Sequence, residues 1–190
     1  MIRTHIELLE YIEALNAKGL DYFKEETFEP KQVIIEENKR YSYVYIIKKG
    51  ITKVYLSDEN GKDFIQEFLS EGMEFGELEV FSGKPSFCRI ESITNVIIYK
   101  ISYTHFNRLL ETDKHFNRLV LKGMAKKISY KAPRHSYQHS YPIEDNIVKL
   151  KEMYPEIEKV ITKKDIASYL GITLRSLNRT LSDINHKDAK

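Results

Sequence analysis

The sequence predicts an α+β chain with three parts. An antiparallel, jelly-roll-like β-roll flanked by helices leads into a long helix, and a helix-turn-helix ends the chain. Three observations carry this. Short runs rich in Val, Ile, Tyr and Phe alternate with turn residues over residues 28–101. After Ile101 the apolar spacing becomes three and four residues. The segment ITKKDIASYLGITLRSLNRTLSDI, from Ile161 to Ile184, holds two short helical patterns around one glycine.

The elements follow in order. Ile6, Leu9, Ile12, Ala14 and Leu15 share one face of a first helix over residues 4–19, which Gly19 closes. Residues 20–27 read as a second short helix or a loop. The strand runs are VII (33–35), YVYII (43–47), ITKVYL (51–56), DFIQEFL (63–69), CRIESI (88–93) and VIIYKI (96–101). Asn60-Gly61 between two runs marks a hairpin, because both residues tolerate positive φ. Phe106, Leu109 and Leu110 give a short helix. A long one starts near Asp113, with Phe116, Leu119, Val120, Gly123, Met124, Lys127 and Ile128 at helical steps. Pro133 is expected to bend or end it, and the polar stretch SYKAPRHSYQHSY reads as a hinge. Ile147, Leu150 and Met153 repeat the helical spacing from about Ile143 to Tyr154. The expected domains are 1–112, a β-roll effector-type unit; 113–142, helix and hinge; and 143–190, the helix-turn-helix unit.

Composition narrows the functions. With 42% hydrophobic residues among 190, the chain can build a core. Its net charge of +2 means that any nucleic-acid surface must be a local patch. One cysteine, Cys88, excludes an intramolecular disulfide and any cluster held by several thiolates, and it reads as a buried small hydrophobe rather than a redox switch. No apolar run reaches membrane-spanning length, and the acid-bearing N-terminus is unlike a signal peptide. The expectation is a cytoplasmic protein without a membrane partner.

The C-terminal segment carries the clearest chemistry. Thr162 caps one helix with Asp165 three residues on, Gly171 ends it, and Thr173 caps the next. Ile166, Ala167 and Leu170 face inward from the first, and Leu174, Leu177, Leu181 and Ile184 from the second. A helix-turn-helix lays its second helix in the major groove. Thr173, Arg175, Ser176, Asn178 and Arg179 are the outward residues there, and arginine forks onto guanine as asparagine does onto adenine. Thr162, Lys163, Lys164 and Thr173 suit phosphates, with Lys187 and Lys190 adding charge. Residues 163–190 hold six basic residues against three acids.

FGELEVFSGKPSFCRIES, from Phe75 to Ser92, has the form of a phosphate-holding loop. Gly76, Glu77, Leu78, Ser86 and Phe87 mark a candidate ligand pocket there. With YVYIIKKGITKVYLSDENGKDFIQEFLSEGMEFGELEVFSGKP ahead of it and TKKDIASYLGITLRSLNRTLSDI at the end, the chain resembles the cyclic-AMP receptor/fumarate-nitrate regulator (Crp/Fnr) family. The resemblance implies a β-roll of the cyclic-nucleotide-binding type and a homodimer paired along the long helix. It also implies double-stranded DNA with a palindromic operator as partner, and RNA polymerase where the regulator activates. It further implies that Gly76, Glu77 and Leu78 belong to the nucleotide loop, whose arginine for the cyclic phosphate falls on Ser86. Arg89 stands three residues on, which along a strand is the opposite face. The residues that would meet the adenine fall at Lys131 and Ala132, neither a small hydroxyl. In the recognition helix only Arg179 keeps the receptor-like pattern, and the β-hairpin wing is expected to be missing.

The expectation is therefore a bacterial-type dimeric regulator that is not an enzyme, is not controlled by cyclic AMP, and has no cofactor. The alternatives are a cyclic-nucleotide or other small-molecule-responsive module and, further off, a cupin-like metalloenzyme. Against the last, no histidine lies within 28–101. His135 and His139 have i, i+4 spacing but no obvious third ligand, and read as a solvated segment.

Overall fold

The computed structural model describes residues 2–188, and the side chains of all of these except 132–140, 153 and 185–188. A short strand β1 (Ile2–Arg3) precedes α1 (Ile6–Ala17). Seven strands follow: β2 (Lys24–Phe28), β3 (Val33–Ile35), β4 (Tyr43–Lys49), β5 (Thr52–Ser57), β6 (Asp63–Leu69), β7 (Glu74–Phe75) and, after the short helix α2 (Glu77–Ser82), β8 (Arg89–Ser92). Then come β9 (Val96–Ser102), α3 (Tyr103–Thr112), α4 (Lys114–Ser140), α5 (Ile143–Met153), α6 (Ile157–Val160), α7 (Lys163–Leu170) and α8 (Leu174–Asp188).

The strands form two sheets, ordered β1-β6-β5-β8-β3 and β2-β9-β4-β7, which face each other across a core of Ile35, Ile47, Leu69, Met73, Phe75, Ile90 and Ile98. Every strand pair is antiparallel except β1 with β6. The Val44–Ile47 stretch of β4 is apolar and buried throughout because both of its faces are covered. Tyr45 and Ile47 point into the sandwich. Val44 and Ile46 pack with Leu8, Ile12, Phe106, Phe116 and Val120 from α1, α3 and α4.

Residues 20–27 are not a second helix. Half of them, from Lys24 on, belong to β2 (Lys24–Phe28), whose five residues pair with β9 from Phe28–Val96 to Lys24–Lys100. Its KEETF sequence is polar because this edge strand is largely exposed, which hides it from apolar patterning. In α1 the buried residues are Leu8, Leu9 and Ile12, while Ile6 and Ala14 are exposed. The hairpin between β5 and β6 is a five-residue loop. In it Gly61 alone has positive φ (74°), and the Asp58 carboxylate accepts from the Asn60 and Lys62 N–H groups.

α4 starts where expected. The Asp113 carboxylate accepts from the N–H groups of His115 and Phe116, and its other oxygen accepts from the Tyr11 hydroxyl at 2.6 Å. It does not end at Pro133. The helix runs through to Ser140, and the break falls at Tyr141-Pro142, with α5 starting beyond Pro142. One lost N–H in a helix of 27 residues is outweighed by the hydrogen bonds on either side. The side chains of Ala132, Pro133, His135 and His139 lie outside the described residues.

Candidate nucleic-acid interface and effector pocket

The helix-turn-helix is built by its caps. Thr162 Oγ1 accepts from the Asp165 N–H at 3.1 Å and donates to the Asp165 carboxylate at 2.8 Å. Gly171 closes α7 at φ 71°, and the Ile172 N–H reaches back to the Ala167 carbonyl. Thr173 Oγ1 then accepts from the Ser176 N–H at 3.1 Å to start α8. Ile166, Ala167, Tyr169, Leu177, Leu181 and Ile184 are buried between the helices and α5. Leu174, expected on that apolar face, is 44% exposed instead, and Leu170 is half-buried. As the first residue of α8, Leu174 sits beyond the reach of the helical core.

The outward face of α8 is open. Arg175, Asn178 and Arg179 are exposed and make no hydrogen bond or ion pair among the described residues. Their spacing puts them on neighbouring ridges of one helix face. Ser176 is half-buried, its hydroxyl shared with Thr173 at 2.9 Å. Lys163 and Lys164 are exposed at the start of α7, Lys163 within 3.8 Å of Glu158. Lys187 and Lys190 lie outside the described side chains.

α7 also docks on the β-roll. β1 pairs only with Phe68 and Leu69, so the rest of β6 is a sheet edge. There the Ser168 hydroxyl donates to the Asp63 carbonyl at 2.6 Å and accepts from the Ile65 N–H at 3.1 Å. Lys53 bridges Asp165 at 3.2 Å and Glu91 at 3.1 Å. The hydroxyls of Tyr130 and Tyr169 meet at 2.7 Å. Tyr55, Ile65 and Phe68 of the roll therefore share one apolar cluster with the helix-turn-helix.

The second site lies beneath α2. Gly76, Glu77, Leu78, Ser86 and Phe87 all line one cavity of about 40 Å³. Gly76, at φ 88°, turns the chain from β7 into α2, and a Cβ there would stand 2.8 Å from the Tyr43 carbonyl. Ser86 is buried, but its hydroxyl donates to the Cys88 carbonyl at 2.8 Å within its own loop and its N–H to the Lys39 carbonyl of the β3–β4 connection, so both groups are already engaged. Arg89 faces outward as the strand alternation requires, paired with Glu36 at 2.7 Å over the Tyr55 ring. Burial, with Glu79 nearby, pushes the Cys88 thiol up to about 12, so the thiol is held protonated.

The cations lining this cavity, Lys127 and Lys131, come from α4. Lys127 reaches in and donates to the Glu74 carbonyl at 2.6 Å and to Glu77 Oε1 at 2.7 Å, with Glu74 Oε1 at 3.1 Å. His5 Nδ1 lies 3.6 Å from Glu74 Oε2. Gly123 lets the helix approach, since a Cβ there would stand 2.7 Å from Glu74 Oε1. Burial opposes ionisation of both carboxyls. At Glu74 the charge of Lys127 and the His5 contact outweigh it and the pKa is lowered. At Glu77 burial and the neighbouring Glu74 charge prevail and the pKa is raised. Burial also opposes the charge on Lys127, but the two glutamates raise its pKa. Lys131 binds Glu67 at 2.7 Å, and Arg3 pairs with the same carboxylate. Lys127 stood in the sequence as one more residue at apolar helical spacing. A lysine in step with Val120, Gly123 and Met124 was the signal for a buried cation.

Among the described residues, no helix is long and apolar enough to cross a membrane. Residues 25–113 match the family model of the cyclic nucleotide-binding domain. The cAMP-activated global transcriptional regulator CRP of Salmonella typhimurium is 27% identical over 99 residues, covering 52% of this chain and 47% of that protein. The chain thus spans about half the length of the curated relatives it matches. Among solved structures, the c-di-GMP responsive global regulator CLP of Xanthomonas campestris superposes with a TM-score of 0.79 at 12% identity, over 93% of each chain. A Crp/Fnr-family transcriptional regulator from Thermus thermophilus superposes with a TM-score of 0.71 at 13% identity, over 86% of this chain and 87% of that one. Two facing sheets with a domain-family match over 25–113, followed by a long helix and a capped helix-turn-helix, give this chain the architecture of the Crp/Fnr regulators, the family it resembles.

Proposed function

We propose that the chain is a dimeric, DNA-binding transcription regulator of the Crp/Fnr type that works without cyclic AMP. The observation that carries the DNA reading is the open face of α8, where Arg175, Asn178 and Arg179 are exposed and make no ion pair among the described residues. Each can fork onto a base edge, worth about 1–3 kcal/mol of discrimination. Lys163 and Lys164 beside them suit the phosphate backbone, as do the Thr162 and Thr173 hydroxyls at the two helix starts. The units 1–112, 113–142 and 143–190 would then act as effector domain, dimerising helix and DNA-binding domain.

Dimerisation is supported by α4. Leu121 and Ile128 stand seven residues apart on one face and are 58% and 70% exposed. Such a pair on the outer side of a long helix suits a seam with a second copy. Two recognition helices would then lie about 34 Å apart on a two-fold symmetric operator. RNA polymerase is the further partner if the regulator activates.

Independence from cyclic AMP rests on the cavity. The phosphate-side position is Ser86, turned inward, and the lining cations are already bound, Lys127 by Glu74 and Glu77 and Lys131 by Glu67. A cyclic phosphate would meet carboxylates rather than a free guanidinium. The test is selection of bound sequences from random duplexes with and without cyclic AMP. A two-fold symmetric consensus, unchanged by the nucleotide and weakened about tenfold or more by Arg179→Ala, is expected. A consensus that emerges only with cyclic AMP defeats the ligand reading, and no enrichment at all defeats the DNA reading.

A further inference from the structure

α8 begins on an apolar side chain that its own core does not use. Leu174 is the first residue of the helix and is 44% exposed. The apolar cluster of the helix-turn-helix takes in Leu177, Leu181 and Ile184 from α8, and Leu170 and Ile172 just before it, but not Leu174. At about 100° per residue, Leu174 stands on the flank between that buried stripe and the open face of Arg175, Asn178 and Arg179. Asn178 lies one turn further along, at i+4 on the same ridge. The neighbouring hydroxyls are held in the cap. Thr173 Oγ1 accepts from the Ser176 N–H, and the Thr173 and Ser176 hydroxyls meet at 2.9 Å. Leu174 is therefore an exposed apolar group at the tip of a helix whose open face is otherwise polar.

Its surroundings say what it would meet. Leu174 lines the same groove as Thr162, Lys164 and Thr173, the residues suited to the phosphate backbone. A recognition helix enters the major groove by its N-terminal end, so its first residues reach the base edges. Most groups displayed there are hydrogen-bond donors or acceptors. Pressed against a leucine, each would lose water and gain no partner. The thymine 5-methyl group is the apolar exception. A leucine at this position therefore favours thymine by apolar contact and disfavours the other bases by leaving their polar edges unpaired. A phosphate oxygen is excluded on the same ground. The register follows from two spacings. One helical turn rises about 5.4 Å and one base pair about 3.4 Å, so the thymine falls within about two base pairs of the one that Asn178 reads.

We propose that Leu174 is a specificity-determining residue that packs on the 5-methyl group of one thymine in each half-site, beside the base pair read by Asn178. This rests on the DNA-binding reading above. The test starts from the duplex selected by the full chain and replaces each thymine in turn by deoxyuridine, which differs only in lacking that methyl. Affinity is read by fluorescence anisotropy. At one thymine of a half-site the replacement is expected to weaken the parent about fourfold, the factor for burying one methyl-sized group. Leu174→Ala should bind the thymine and deoxyuridine duplexes alike, whereas Leu174→Met, still apolar, should keep the preference. Asn178→Ala should relax the choice of base within about two base pairs of that thymine and leave the methyl preference in place. If every thymine can lose its methyl without effect on the parent, the proposal is overturned, and no variant is needed to show it. A methyl preference that survives Leu174→Ala also overturns it, as does one that lies further from the position relaxed by Asn178→Ala. A selection that enriches no sequence defeats the DNA reading and this proposal with it. An enriched sequence without a methyl-sensitive thymine defeats this proposal alone, so the two failures are told apart.

Discussion

Lys127 concentrates the residue-scale argument, because one ammonium serves Glu74 and Glu77 in a space almost without solvent. Removing one member of a buried ion pair costs about 3–5 kcal/mol, since the charges left behind keep their desolvation penalty. Lys127→Met is therefore expected to lose stability in that range at neutral pH, measured by urea unfolding. The loss should shrink in acid. Glu77 has a raised native pKa, so its stabilising share is present below the ordinary glutamate value and is lost as pH rises through the raised one. Protonating Glu77 as pH falls through that window removes one of the two stranded charges. Glu74, with a lowered pKa, works in the opposite sense, and its share is lost only at lower pH still. Repeating the unfolding at pH 7 and pH 5 checks the direction. The inward helical step of Lys127 flagged a buried cation but not its partners, because such a lysine looks the same in sequence whether it snorkels to solvent or meets two glutamates.

The element scale turns on α4 and α7, which each have one side committed and one side in question. α4 buries Phe116, Leu119 and Val120 against the roll and leaves Leu121 and Ile128 outside. Replacing both with glutamate is expected to leave the melting of the folded chain within about 1 kcal/mol, as for surface positions generally, while abolishing self-association in sedimentation. A dimer that survives both charges would show that the seam lies elsewhere. α7 covers the β6 edge through Ser168, which protects backbone groups that β1 is too short to reach. The caps of α4, α7 and α8 were readable from Asp113, Thr162 and Thr173, because a cap is a local hydrogen bond. β2 was not, because its register with β9 is decided by a partner some seventy residues away.

At the scale of the whole molecule, the helix-turn-helix and the β-roll are joined by a common apolar cluster. Tyr55, Ile65 and Phe68 lose contact with Ile166 and Tyr169 if the units separate. Thermal unfolding is therefore expected as one calorimetric transition, with van't Hoff and calorimetric enthalpies in agreement. Two resolved peaks would mean that the cluster contributes little and that the two units melt independently. The same docking gives the molecule a route between its sites. Lys127 ties α4 to the α2 loop, and Tyr130, one turn further along α4, touches Tyr169 of α7. A ligand that shifted α4 would act on both contacts.

The sequence by itself determined the class of the fold, the strand-rich segment, the start of the long helix and the two capped helices at the end. These depend on side-chain period and on hydrogen bonds within four residues. It also determined what the loop after β7 lacks, since an arginine is either present at position 86 or not. Only the tertiary structure decided what stands in that arginine's place. Three carboxylates matched by distant cations and a serine hydroxyl bound within its own loop are the outcome of α4, α2 and β6 meeting in space. Electrostatic balance in a buried site is set by neighbours that no local pattern records.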